Sequence, residues 1–392
     1  MKLFFILLFL PCCVSTFGQI TISGKVINEE NKEPIAGANV FINNSSFKTI
    51  TTADGKFEFT NINLQKGELI VNALGYKYEV IIIDNKNSNY QLISLKIQTK
   101  VLDEVLVMSY EKDGYKKWGQ LFFDNFIGKT GEAINCKIEN QKALKFFYNK
   151  KINTLSVIAN DPLKIVNNAL GYRIDYTLES FEFNTRYNTL FYSGYAVFTE
   201  MKKGKKQMQK WKDKRKSCYR GSVMHFMRAL YRNNLNEEAF TVQKAMKVLN
   251  VKKEEYNKEM RQQLLTKPKI NGKITLSVNS FKYNKKLTDE TDSIYNITPQ
   301  RLSTDSFAFI IDSETAGMAF KKSLAISYKH PDLNKSVYSF VKLLNPDEPL
   351  HIFQNGSYYT SMNFFTESFW AEHETVSRML PIDFVYEKPI KQ

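Results

Sequence analysis

Histidine and cysteine are scarce in this chain, four of each among 392 residues, and Cys12 and Cys13 fall in its first apolar stretch. Little is left for a metal centre or a thiol nucleophile. Three residues after His225, His330, His351 and His373 stand Arg228, Leu333, Gln354 and Val376, so neither His-x-x-Glu nor His-Glu-x-x-His occurs and the usual zinc-hydrolase patterns are excluded. His373 lies between Glu372 and Glu374, but adjacent side chains rarely converge on one ion, and a solvated turn accounts for it. Cys218 and His225, seven apart, would lie about two turns apart on a helix, too far for a thiol–base pair. The polar run Asp84, Lys86, Ser88, Asn89 lacks the ligand density of a calcium loop. Gly-x-Ser-x-Gly and phosphate-cradling glycine motifs are missing too. These absences point away from the common hydrolases and imply no cofactor. Beyond the first residues, no stretch approaches the ~20 apolar residues of a membrane helix.

Aromatics and positive charge are abundant. The 29 Phe and 21 Tyr suit the half-buried face of a pleated sheet and tilt the chain toward β structure. Met1 and Lys2, the apolar run Leu3 to Leu10 and the small residues up to Gly18 read as a signal peptide, residues 1–19. Export would leave Cys136 and Cys218 in an oxidising compartment, where a bridge between them and two separate buried thiols are both open. Net charge is +15. For an exported chain that suggests an envelope protein, an acidic glycan or an anionic membrane surface rather than nucleic acid. The charge is clumped in Lys202, Lys203, Lys205, Lys206, Lys210, Lys214 and Arg215, with Trp211 among them. This tract reads either as a solvated loop or hairpin tip or as an anionic-ligand patch. An exposed Trp211 there, and Tyr358-Tyr359, are candidate platforms for sugars.

From Ile20 the chain alternates and turns at short intervals, as a small antiparallel sandwich does. Ala53-Asp54-Gly55-Lys56 is a hairpin turn, after which Phe57 and Phe59 face one side. The motif residues are Gly24 in Ile22-Ser23-Gly24-Lys25-Val26; Pro34, Gly37 and Ala38 in Pro34 to Val40; Asp54, Gly55 and Phe57; and Gly75 and Tyr76 in Ala73-Leu74-Gly75-Tyr76. Their order and spacing resemble the carboxypeptidase-regulatory-like domain. That resemblance implies a seven-stranded transthyretin-like β-sandwich over residues 20–107 and a structural role for those residues, with no activity. Leu102-Asp103-Glu104-Val105-Leu106-Val107 adds a strand similar to the one that follows this sandwich in the N-terminal extension of TonB-dependent outer-membrane receptors. The residues that remain are too few for the large barrel of such receptors, at about 10 residues per strand plus turns.

Residues 108–118 read as a linker and 119–392 as a larger, mixed, mostly antiparallel β domain with one or two helices. Strands are expected over Ala133 to Ile138, Ala143 to Tyr148, Thr154 to Ala159, Leu163 to Val166, Tyr172 to Phe183 and Leu190 to Glu200. A phase switch places a bulge near Glu179-Ser180. Val223, Phe226, Met227, Leu230 and Tyr231 share a helical stripe, and Glu254 to Leu265 forms a polar helix. This region also resembles bodies attached to the same sandwich in exported bacterial proteins, through Cys136, Pro162-Leu163, Leu170-Gly171-Tyr172, Tyr219 to Ser222 with His225-Phe226, and Arg378 to Pro381. The expected whole is a mainly-β, exported cell-envelope binding or assembly protein, in the periplasm, on the outer membrane or secreted. A hydrolase acting on envelope polymers and a small outer-membrane barrel are the alternatives.

Overall fold

The computed structural model describes residues 20–62, 64, 66–84, 90–98, 110–265, 269–270, 273–274 and 291–387. The signal segment, most of the polar loop after Asp84 and the expected Leu102–Val107 strand lie outside them. The described chain is mainly β and divides into two compact units, residues 1–215 with 376–392, and residues 216–375. The sequence offers 119–392 as one body, and the division falls within it.

The first unit opens with seven strands: β1 (Ile20–Asn28), β2 (Asn39–Ile42), β3 (Lys48–Ile50), β4 (Lys56–Ile62), β5 (Lys66–Asn72), β6 (Glu79–Asp84) and β7 (Gln91–Leu95). They form two sheets, β4-β1-β7 and β3-β2-β5-β6. In β4 the two-residue beat turns Phe57 and Phe59 inward, and both are buried. Gly24 is required by close approach, since a Cβ there would meet the carbonyl oxygen of Gln91 on β7 and the ring of Phe57. Gly24→Ala should therefore cost about 1–3 kcal/mol in urea unfolding. An unchanged midpoint would mean that β1 and β7 are not packed as seen here.

Helix α1 (Gly114–Phe126) follows, then β8 (Cys136–Ile138), β9 (Leu144–Asn149), β10 (Thr154–Ala159), β11 (Leu163–Asn167), β12 (Tyr172–Asn184) and β13 (Thr189–Glu200). These strands make one antiparallel sheet, β8-β11-β12-β10-β9, with β13 paired to β12. The expected bulge is present as a register shift between Leu178 and Ser180. At β8 the expectation needs correction: Ala133–Asn135 is a 3-10 turn, and only Cys136–Ile138 is extended. α1 lays Phe122 against Phe181 and Phe126 against Tyr176, with ring centroids 4.8 and 5.0 Å apart.

The sandwich rests on the outer edge of β13. Asn44 N–H donates to Ala196 O at 2.7 Å, and Phe198 N–H donates to Ser45 O at 2.9 Å. Asn43 Oδ1 accepts from Ala196 N–H at 3.0 Å, while Phe41, Ile70 and Val197 form a small apolar cluster. Backbone groups that an edge strand would leave open are thereby used within the chain.

Helix α2 (Lys205–Tyr219) runs out of this unit. The second unit holds α3 (Val223–Tyr231), β14 (Phe240–Leu249), α4 (Val251–Leu265), β15 (Lys269–Ile270), β16 (Lys273–Ile274), β17 (Ser293–Arg301), β18 (Ala308–Asp312), β19 (Thr315–Met318), β20 (Leu324–His330), β21 (Lys335–Leu343), β22 (Leu350–Ile352), β23 (Tyr358–Tyr359) and β24 (Phe364–Ser368). Its main sheet is β17-β14-β20-β21-β24. The stripe of α3 supplies Val223, Phe226, Met227 and Leu230 to a core shared with Phe240, Ile326, Val341 and Trp370. The sheets of the described residues are open, with two to six strands, and the barrel alternative finds no closed wall among them.

Candidate functional site

From Lys205 onward the lysine-rich tract is a helix, not a loop or hairpin tip, and Lys202 and Lys203 stand just before it. Lysine and arginine are good helix formers, and the buried stripe carries Trp211 and Arg215 four residues apart, then Cys218 and Tyr219. Trp211 is only 2% exposed, so the expectation of an exposed platform is overturned. Its indole N–H donates to Asn168 O at 2.8 Å, and its ring covers Gly171, whose φ of +72° and missing Cβ let the two meet.

Arg215 is likewise buried. Its Nε donates to Leu170 O at 2.7 Å, its guanidinium pairs with Glu200 and lies 3.9 Å from the centroid of the Tyr172 ring. The motif Leu170-Gly171-Tyr172 is thus the seat on which α2 sits. Burial, opposed by the charge of Arg215 and reinforced by that of Glu200, holds the Tyr172 hydroxyl well above the usual tyrosine range.

Lys214 Nζ donates to Glu132 at 2.7 Å, and Arg378 donates to the same carboxylate oxygen at 2.9 Å. Glu132 is buried, which alone would raise its pKa. The Lys214 hydrogen bond, the Arg378 charge and the Thr130 hydroxyl outweigh that and bring it down to about 2. Lys212 pairs with Glu387 at 2.8 Å. The tract therefore splits. Trp211, Lys214 and Arg215 belong to the architecture, whereas Lys202, Lys203, Lys205, Lys206 and Lys210 are exposed and carry no ion pair among the described residues. Lys205 and Lys206 occupy the first turn, which holds no acidic residue, against the preference of the helix dipole.

A second polar cluster lies within the other unit. His225 is buried; its Nδ1 accepts from Gly221 N–H at 3.1 Å, which leaves Nε2 as the protonated nitrogen, donating to Glu238 at 3.1 Å. Ser222 caps α3 by accepting from His225 N–H, and Trp370 Nε1 donates to Gly221 O at 2.7 Å. Rings of Tyr219, Phe240 and Tyr328 surround the imidazole. The cluster locks the turn into α3.

Cys136 and Cys218 are both buried, and Cys136 Sγ lies 3.5 Å from Glu132 O. Tyr358 and Tyr359 are half-buried against Phe364 and Phe353. Among the described residues no cluster of three or more His, Cys, Asp or Glu could hold a metal ion. In the sandwich, Gly37, Gly55 and Gly75 take positive φ at turns, Asp54 is exposed beside Gly55, Ala38 is fully buried, Pro34 bridges Ile27, and the Tyr76 hydroxyl accepts from Asn28. Glu132, Glu200 and Glu387, which pair with the tract, carry no local sequence signal.

The chain is 32% identical over 144 residues to the TonB-dependent receptor SusC of Bacteroides thetaiotaomicron, a match over 36% of this chain and only 13% of that receptor. Among solved structures, a Bacteroides uniformis protein provisionally assigned to carbohydrate binding aligns with 46% of this chain and 78% of its own at 8% identity and a TM-score of 0.15. A 9R-lipoxygenase from Cyanothece aligns with 56% and 48% at 10% identity, with the same TM-score. Likenesses this slight carry no argument about fold or function. The profile of the CarboxypepD_reg-like domain matches residues 22–107, the span in which seven strands and their turn glycines were found. Residues 22–107 therefore belong to the CarboxypepD_reg-like domain family.

Proposed function

We propose that this chain is an exported cell-envelope protein that binds or assembles and has no catalysis of its own. The signal-like first 19 residues, the CarboxypepD_reg-like domain and the similarity to a TonB-dependent receptor support the envelope as its place of work. The sandwich acts as a seated module, since its β2–β3 turn is tied to β13. Its ligand is acidic. The observation that carries this is the division of the tract: the inner face of α2 is used by the fold, while Lys202, Lys203, Lys205, Lys206 and Lys210 stand outside with no ion pair among the described residues.

Expression from the natural leader, followed by cell fractionation and cross-linked pull-down, tests the reading. The mature chain is expected in the envelope fraction, with salt-sensitive partners. Recovery in the cytoplasm would remove the frame altogether.

A further inference from the structure

We infer that the outer lysines of α2, with Lys202 and Lys203 just before it, bind an anionic lipid surface, and this rests on the reading just given. Three observations separate a membrane from an acidic glycan. Trp211, the one aromatic of the tract, is buried with its indole N–H engaged by Asn168 O, so no ring faces outward for a sugar to stack on. The one arginine, Arg215, is buried against Glu200, Leu170 O and Tyr172. No planar fork remains to grip a carboxylate in two places.

What remains outside is five ammonium groups on flexible stems, with one carboxylate near them, Asp213, which accepts from Gln209; Met208, 44% exposed, extends the stripe of Trp211 and Arg215. Such a surface recognises charge density rather than shape. Clusters of four to eight lysines are the usual electrostatic match for anionic headgroups. Lys205 and Lys206 crowd the first turn without an acidic neighbour, an arrangement unfavourable in water that a negatively charged surface relieves.

The test is co-sedimentation of the full mature chain with vesicles of phosphatidylcholine, with or without a third of phosphatidylglycerol. The protein should pellet with the anionic vesicles in low salt and be released in high salt. The variant K202Q/K203Q/K205Q/K206Q/K210Q should bind them about 3,000-fold more weakly, at roughly fivefold for each of five lysines. The variant K150Q/K151Q/K321Q/K322Q/K335Q, which loses the same charge elsewhere, should stay within about threefold of wild type by the same argument. Far-UV circular dichroism confirms that both variants fold.

Equal weakening in both variants would reduce the effect to net charge and overturn the inference. So would failure to bind anionic vesicles, or preference for soluble polygalacturonate over them. A wild-type chain recovered in the envelope that ignores vesicles defeats this inference alone; recovery in the cytoplasm defeats the proposed function.

Discussion

Trp211→Ala should lower the free energy of unfolding by about 3–5 kcal/mol, as expected for truncating a large buried aromatic. The residue is only 2% exposed, fills the space over Gly171 and satisfies the Asn168 carbonyl. Losing that donor adds to the cavity cost. Trp211→Phe keeps most of the volume and should lose less than half as much. Urea unfolding followed by circular dichroism reads both. A loss under about 1 kcal/mol for the alanine variant would mean that the indole is not core.

Glu132→Gln is the second large effect, and pH exposes it. The folded-state pKa of about 2 lies below the reference 4.5. The stabilisation is therefore fully present above about pH 4.5 and drains away as pH falls toward 2. An unscreened shift of that size corresponds to about 3 kcal/mol, and nearer 2 once partial solvent access is allowed for. Glu132→Gln should cost that much at neutral pH, because Arg378 and Lys214 both lose their counter-charge. The gap between wild type and variant should close in acid. A gap that stayed constant from neutral pH to pH 3 would show that the carboxylate's charge is not what holds Lys214 and Arg378.

Much of the β framework was legible in the sequence because period-two patterns are local. The pattern of Thr154–Ala159 matches its strand to the residue, and the phase switch after Leu178 discloses a bulge whose cause lies within the strand itself. The stripe of α3 was equally plain, since Val223, Phe226, Met227 and Leu230 keep the helical period in apolar residues although His225 and Arg228 are buried beside them. The sequence pattern hides α2 because its buried stripe contains an arginine. Trp211, Arg215 and Cys218 have helical spacing, but a charged residue in the stripe disguises the period. The partner that makes burial of Arg215 tolerable, Glu200, lies 15 residues away on β13. The Glu132–Arg378 pair, 246 residues apart, has no local signal at all. The candidate site was thus legible as a cluster of charge, but which charges belong to the fold and which face outward is decided by tertiary partners.

On the proposed function, the five outer lysines of the tract serve a ligand and not the fold. The free energy of urea unfolding of the K202Q/K203Q/K205Q/K206Q/K210Q variant tests it directly. Removing like charges, two of them at the N-terminal turn of α2, should leave stability unchanged or raise it by up to about 1 kcal/mol. A loss of more than about 2 kcal/mol would contradict the claim, because unpaired surface charges contribute far less than that.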